Sequence, residues 1–339
     1  MKKISRRDFL KIAGLGTEGL LLQQVLTACG VKSIPGTAVL PPSATAASAA
    51  AAAATNAPEQ VSATPSNLPD LVVVRGGEPG PMIRKALEAF GGMGAFVPAG
   101  ANVIIKPNIC VSYQTYEYAA TTNPWLIGAL VTLCLEAGAS RVRVMDYPFS
   151  GSAENAYKTC GIQEQVEAAG GQMEIMTQLK YAPTAIPKGV WLETAHVYQD
   201  ALNADVLINV PIAKQHDNTR LSLGMKNLMG LVTDNDRNTM HGNIHRTIAD
   251  LASLIQPTLN VVDAVRILTS GGPQGGNLDA VKKLDTLIVS PDIVAADSYA
   301  TSLFNLTPED IGYIRTGAEM GLGRSDLENL KIEEIALNA

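Results

Sequence analysis

Short runs of β-branched and aliphatic residues alternate with helical patterns from residue 71 almost to the end of the chain. The runs predict strands at 71–74, 102–105, 142–145, 173–176, 206–210, 259–262 and 287–289. Apolar residues at helical spacing predict helices at 81–90, 124–137, 162–169, 245–255, 293–304 and 308–320. This alternation is typical of an α/β fold in which a mostly parallel sheet is flanked by helices.

Polar and charged residues follow five of the predicted strands. They are Lys106 to Asn108, Asp146, Pro211 to His216, Asp263, and Ser290 to Asp292. In an open parallel sheet the ligand crevice lies outside the carboxyl ends of the strands. Loop residues are often polar simply because they face solvent. Solvent exposure explains polar residues after one or two strands better than polar residues after five. We therefore expect one cleft at the carboxyl ends of the strands.

Three lysines in polar, glycine- or proline-rich surroundings suggest what that cleft binds. Lys106, Lys214 and Lys226 could converge there, and charge and hydrogen bonds from several lysines suit a carboxylate or a phosphate. The segment around Lys226 is not a Walker loop, because it lacks the Gly-Lys-Ser/Thr ending. We predict that a small anionic ligand is bound by Lys106, Asn108, Lys226 and Asn227. Solvated surface lysines are the alternative.

Three of the four histidines lie in one stretch of the sequence, at His216, His241 and His245. Neutral imidazole is the commonest protein ligand of transition metals, so the three predict a divalent metal site. These residues could instead serve in acid–base catalysis, with His216 or His241 as general base and with Lys106 and Lys214 stabilising charge. Gly242 suggests that a helical turn begins after it, which would separate His241 from His245. Hydrogen-bonded structural histidines are the alternative.

The cysteine pattern and the net charge exclude two classes of function. Cys110, Cys134 and Cys160 are widely spaced and form no Cys-x-x-Cys pair, so no iron–sulfur cluster is expected. The formal net charge is −6, and no basic run occurs beyond the first residues. We therefore expect no nucleic-acid partner.

The first residues predict export and lipid anchoring. Arg6 and Arg7 lie in a basic segment that matches the twin-arginine export pattern, and Cys29 ends a segment similar to a bacterial lipobox. Residues 1–28 are therefore predicted to be a signal peptide that the twin-arginine export machinery recognises. A lipid on Cys29 would hold the protein on a membrane, at the outer face of the cytoplasmic membrane or in the periplasm.

The remaining chain divides by composition into two parts. Residues 29–69 are rich in alanine, serine, threonine and proline, a composition that predicts a disordered tether. Its alanine run could form a helix, but no apolar face would dock it. Residues 70–339 are predicted to be the α/β domain.

Several motifs of this chain together resemble one family. They are Lys106-Pro107-Asn108, Thr122-Asn123-Pro124, Asn209-Val210-Pro211, Gly224 to Gly230, Val262-Asp263-Ala264, Gly271-Gly272-Pro273 and Ala295-Ala296-Asp297. These residues resemble the family called domain of unknown function 362, over about residues 70–335. Some members of that family carry cysteine-rich ferredoxin-like segments, which this chain lacks, so the resemblance implies no electron transfer. The family has no settled activity. The resemblance therefore indicates which residues form the site more than it indicates a function.

Two functions are consistent with these features. The first is a lipid-anchored extracytoplasmic enzyme that acts on a small anionic metabolite, with the help of a divalent metal if the histidines meet. The second is a non-catalytic surface lipoprotein that binds a small ligand or a metal. Clustered acid–base residues favour the first, whereas an anchor and a tether suit either.

The export prediction can be tested at the arginine pair. Replacing Arg6 and Arg7 with lysine is expected to leave the precursor in the cytoplasm, because the pair is the recognised part of the signal. Cell fractionation and immunoblotting measure this. Cys29→Ser serves as the control, since it should be exported without a lipid. Undiminished export of the double-lysine variant would contradict the twin-arginine interpretation.

Overall fold

A ten-stranded sheet forms the centre of the computed structural model, which describes residues 68–337. The predicted signal peptide, Cys29 and residues 29–67 of the predicted tether lie outside the described residues. The strands are β1 (Leu71–Arg75), β2 (Asn102–Pro107), β3 (Arg141–Val144), β4 (Gln172–Met173), β5 (Tyr181–Ala185), β6 (Thr194–Tyr198), β7 (Val206–Val210), β8 (Ile212–His216), β9 (Arg220–Ser222), β10 (Leu259–Leu268), β11 (Val281–Ser290) and β12 (Ile332–Ala336).

The sheet is mostly parallel, as the sequence predicts. Its strand order is β12-β1-β11-β10-β7-β2-β3-β4, with β8 pairing with β10 and β9. Strand β11 is antiparallel to both β1 and β10, and β9 is antiparallel to β8, whereas the other pairs in the sheet are parallel. Strands β5 and β6 form a separate antiparallel hairpin.

Helices cover both faces of the sheet. They are α1 (Pro79–Ala89), α2 (Pro124–Glu136), α3 (Ala153–Thr159), α4 (Ile162–Ala168), α5 (Gln199–Leu202), α6 (Gly224–Asn227), α7 (Asp234–Met240), α8 (Ile244–Leu254), α9 (Ile293–Thr301) and α10 (Gly312–Glu319). Side chains of β1 alternate between two hydrophobic cores, Leu71 and Val73 facing one, Val72 and Val74 the other. This period of two is what a strand buried on both faces requires.

Within residues 68–337, no helix combines the length and the apolar character needed to cross a membrane.

Two strands differ from the sequence prediction in a way that changes the site. Strand β10 continues past Val262 to Leu268, so Asp263 lies inside a strand and does not follow one. Strand β11 runs antiparallel to its neighbours, so Ser290 and Asp292 follow a carboxyl end that points the other way. A run of β-branched residues does not encode the direction of its strand. The expected convergence of five strand ends is therefore wrong for these two.

Other elements carry no clear signal in the sequence. The hairpin β5–β6 contains Pro183 and exposed polar residues. Strand β8 follows Pro211 directly, and its sequence, with Lys214 and His216, resembles a polar loop. These strands form because tertiary partners satisfy their backbone groups.

Side chains that directly precede α2 join the start of this helix to the carboxyl ends of β2 and β7. The Thr122 hydroxyl accepts a hydrogen bond from the Asn108 N–H and donates one to the Val210 carbonyl, both at 2.8 Å. Asn123 caps α2 by accepting the Trp125 N–H, and its own N–H donates to the Asp263 carboxylate at 2.7 Å. The motif Thr122-Asn123-Pro124 thus fixes the edge where Lys106 and Asn108 lie.

The described fold predicts where the domain can be shortened. A chain that begins at Leu68 should unfold in one cooperative transition, because every strand pair of the sheet lies within residues 71–336. Chemical denaturation followed by circular dichroism measures this. A chain that begins at Gly77 is the control, since it lacks β1, which lies between β11 and β12. Aggregation of the first chain, or equal cooperativity of the second, would contradict the prediction.

Candidate functional site

A cleft of about 480 Å³ opens where β2, β3 and β8 meet α6 and α7. This volume lies in the range of small-molecule sites. Seven of the predicted site residues line the cleft, namely Lys106, Asn108, Lys214, His216, Lys226, Asn227 and His241. The structure thus brings together the predicted lysines, both asparagines and two of the three histidines.

Lys106 is fixed in the floor of the cleft by a buried ion pair. Its ammonium donates to Asp146 Oδ1 at 2.7 Å, to the Pro107 carbonyl at 3.0 Å and to Asn227 Oδ1 at 3.2 Å. Burial lowers the pKa of Lys106, and the Asp146 carboxylate opposes that effect. Because an ammonium has three protons and all three are engaged, Lys106 has no donor left for a ligand.

Lys214 is also saturated, but by neutral groups. It donates to Asn108 Oδ1 and the Ala120 carbonyl at 2.8 Å and to the Pro273 carbonyl at 3.0 Å. Burial lowers the pKa of Lys214. Its positive charge therefore has no carboxylate among its hydrogen-bond partners in the described chain. The segment 271–276 supplies part of the cleft wall through Pro273.

Lys226 differs from both. Its side chain is nearly buried, at 9% exposure, and its hydrogen-bond partner among the described residues is Met229 Sδ at 3.6 Å. Burial, together with the charge of Lys214, lowers the pKa of Lys226 to about 8. A buried amine without an oxygen acceptor retains donors that a ligand could use.

Two close approaches fix the two ends of the segment Gly224–Gly230, the first to α9 and the second to the pair of Lys106 and Asp146. The Asp297 carboxylate accepts the N–H of Gly224 at 2.6 Å and that of Met225 at 2.9 Å, although burial raises the pKa of Asp297 to about 7. At Gly230 a Cβ atom would overlap Asp146 Oδ1 and lie 2.8 Å from Lys106 Nζ. The motif therefore places Lys226 and Asn227 by backbone contacts that side chains would block.

His216 and His241 present opposite tautomers to the cleft. Nδ1 of His216 accepts the Asn218 N–H at 3.1 Å, and burial lowers the pKa of His216 to about 3, with Lys226 and Lys214 contributing. Neutral His216 therefore carries its proton on Nε2. His241 Nδ1 lies 2.7 Å from the Arg237 carbonyl and must donate to it. Nε2 of neutral His241 is thus a free proton acceptor.

His245 does not line the cleft. Its ring stacks on Tyr313, with 6.4 Å between ring centroids, and lies close to Gly312. Burial lowers the pKa of His245. Within residues 68–337, no group of three or more His, Cys, Asp or Glu side chains is placed to hold a metal ion. The predicted three-histidine metal set is therefore not assembled, because the helical turn after Gly242 turns His245 toward α10.

The cleft is also lined by residues that the sequence analysis did not identify as candidate site residues. Arg237 lies over the Tyr147 ring at 4.5 Å and pairs with Asp234 at 2.6 Å. Cys110 also lines the cleft, near Lys214. Arg237 belongs to α7, a polar helix without an apolar pattern that could have indicated it. Asp146 was recognisable only as a residue that follows a strand.

The aspartates of β10 and α9 have scaffold positions. Asp263 accepts two backbone N–H groups, from Asn123 at 2.7 Å and Val265 at 3.0 Å, and burial raises its pKa to about 6. Neither Asp263 nor Asp297 lines the cleft. Their carboxylates fix the backbone that carries the site residues.

A family model and one curated relative match this chain. The model described as Domain of unknown function (DUF362) matches residues 103–302. A Synechocystis sp. protein described as thylakoid-associated is 26% identical over 253 residues, which cover 73% of this chain and 76% of that protein. The matched region contains all the predicted site residues of the cleft.

Two solved structures show similarity at low sequence identity. They are the lactate racemase apoprotein from Thermoanaerobacterium thermosaccharolyticum, at 11% identity, and a protein from Thermotoga maritima, at 13% identity, each with a TM-score of 0.43. Each alignment covers 68% of this chain. The chain spans 56% and 60% of the lengths of those proteins, respectively.

The close approach at Gly230 gives a testable prediction. Gly230→Ala should lower the free energy of unfolding by about 1–3 kcal/mol, because the added methyl group has to displace the buried pair of Lys106 and Asp146. Urea denaturation measures the change. Gly94→Ala is the matched control, since a Cβ there meets nothing within 4 Å. Equal stability of both variants would show that the segment is free to move away from the ion pair.

Proposed function

This chain belongs to the DUF362 family, and from the geometry of its cleft we propose that it is an enzyme that acts on a small metabolite carrying a carboxylate or a phosphate. The observation that carries the proposal is Lys226, a nearly buried amine in the cleft lining that has no oxygen acceptor within residues 68–337. An anionic ligand would supply that acceptor.

The charges that line the cleft favour an anion. The described lining contains four cationic side chains, Lys106, Lys214, Lys226 and Arg237, and three carboxylates, Asp146, Asp217 and Asp234. Two of the carboxylates are committed to ion pairs with Lys106 and Arg237, and the third accepts a hydrogen bond from Gln215. Among the described residues, Lys214 and Lys226 thus have no direct carboxylate partner. In a partly dehydrated cleft their field attracts a negative group.

The two histidines support a proton-transfer reaction. His241 is the general base, because its Nε2 is free to accept a proton. His216 is a neutral hydrogen-bond donor through Nε2, suited to a developing negative charge on a substrate oxygen. Lys214 stabilises charge at a distance, and Asn227 and Lys106 hold the floor of the site. The proposal assigns no step to a metal.

The proposed location follows from the first residues alone. We propose that the twin-arginine machinery exports the protein after folding and that a lipid on Cys29 anchors it at the outer face of the cytoplasmic membrane or in the periplasm. A non-catalytic lipoprotein that binds the same ligand is the alternative. The free Nε2 of His241 favours the enzyme, since ligand binding alone does not need a base.

Anion binding should depend on pH through Lys226. Oxalate, malonate and inorganic phosphate are suitable probes, with affinities measured by titration calorimetry. Because the protonated amine is the form that attracts an anion, affinity should be retained below pH 8 and fall as the pH rises through about 8, the pKa of Lys226.

Two variants make this test specific. Lys226→Met should weaken binding on the order of tenfold to a hundredfold, the loss expected for a hydrogen bond to a charged group, and should remove the pH dependence near 8. Lys85→Met is the matched control, because Lys85 lies on α1 and pairs with Glu88 away from the cleft. Unchanged affinity in Lys226→Met, or no binding of any probe, would contradict the proposed function.

A further inference from the structure

We infer that the Lys226 amine is a covalent nucleophile, which forms an imine with the carbonyl carbon of a small 2-oxo acid bound in the cleft. This inference rests on the proposed function, because it requires that the cleft hold the carboxylate of that acid. It adds a substrate class to that function. It also gives the Lys226 side chain a chemical role, whereas anion binding alone uses only its charge.

The hydrogen bonds of the three lysines single out Lys226. An amine attacks a carbonyl only through its lone pair, so it must lose a proton and be free to turn. Lys106 and Lys214 each donate to three oxygens, which holds both as fixed ammonium groups. Lys226 has a thioether sulfur as its described partner, and a weak acceptor of this kind does not hold the proton.

The surroundings of Lys226 favour its neutral form. Burial is the main cause, and the nearby charges of Lys214 and Arg237 act in the same direction. A lysine that is desolvated or lies beside another cation is a known form of activated amine. With a pKa of about 8, the Lys226 amine is neutral in roughly a tenth of the molecules at pH 7. This neutral fraction is on the order of a hundredfold larger than for an ordinary lysine.

Imine formation at Lys226 needs no reactant beyond the acid and solvent water. Once the ammonium has given a proton to solvent, the neutral nitrogen forms the N–C bond while the carbonyl π electrons move to oxygen. A proton passes from nitrogen to that oxygen, which gives a carbinolamine. The nitrogen lone pair expels the hydroxyl group as that group takes a proton from solvent, so one water leaves and a protonated imine remains.

The charge of the product explains why a 2-oxo acid is the substrate class. The protonated imine keeps the positive charge that Lys226 had, so attraction of the adjacent carboxylate is preserved throughout. Lys214 contributes a second, fixed charge, and neutral His216 can donate to the carbonyl oxygen. A cleft of about 480 Å³ accommodates a small acid of this kind.

Reductive trapping tests the inference directly. The folded protein is incubated with glyoxylate, pyruvate, oxaloacetate or 2-oxoglutarate and sodium cyanoborohydride at pH 7, and peptide mass mapping then locates the secondary amine. At least one acid should label Lys226 on the order of a hundredfold faster than Lys188, an exposed lysine, because burial favours the neutral amine of Lys226. In urea-unfolded protein the two lysines should label at equal rates.

Variants separate a nucleophile from a simple charge. Lys226→Arg keeps the charge and should keep oxalate binding while it loses the adduct. Lys188→Met should leave labelling of Lys226 unchanged.

The outcomes distinguish this inference from the proposed function. If oxalate binds with the expected pH dependence but none of the four acids labels Lys226 faster than Lys188, the imine is overturned and the anion site stands. If neither oxalate nor phosphate binds, the proposed function fails, and the imine fails with it.

Discussion

A series of buried hydrogen bonds between side chains is the interaction on which the rest of the structure depends. Asn209 donates to Asn260, Asn227 donates to Asn209, and Asn108 donates to Asn227, at 3.1, 2.8 and 2.9 Å, respectively. Lys214 then donates to Asn108. The series joins β10, β7, α6, β2 and β8. Because an unpaired buried amide costs about 1–3 kcal/mol, each member fixes the next, and the strand ends hold one arrangement.

The ion pair of Lys106 and Asp146 is compatible with this network only because Gly230 leaves room for it. A buried pair that loses one partner leaves an uncompensated charge, which is strongly destabilising. Asn227 shares an oxygen with Lys106, so the pair and the amide series are one unit. The residues that resemble family motifs are thus mostly a scaffold, and Lys226 is the member of that scaffold with donors to spare.

Different degrees of hydrogen-bond satisfaction give the lysines different roles in one cleft. Saturated ammonium groups at Lys106 and Lys214 supply a field and cannot move without breaking three bonds each. Lys226 has lost water without gaining an oxygen, which is the condition that makes an amine sensitive to pH and to a ligand. His216 and His241 also differ because of their hydrogen bonds. The backbone group that each ring contacts determines which of its nitrogens carries the proton.

The sequence by itself determined the α/β class, most of the strands and helices, and the set of polar residues near the strand ends, because hydrophobic periodicity is a local property. Only the tertiary structure decided which of those residues meet. It placed Asp263 and Asp292 outside the cleft because of strand length and strand direction. It also directed His245 toward α10 and added Arg237 to the cleft lining. Strand direction, hydrogen-bond partners and burial depend on residues far apart in the chain, and no local pattern records them.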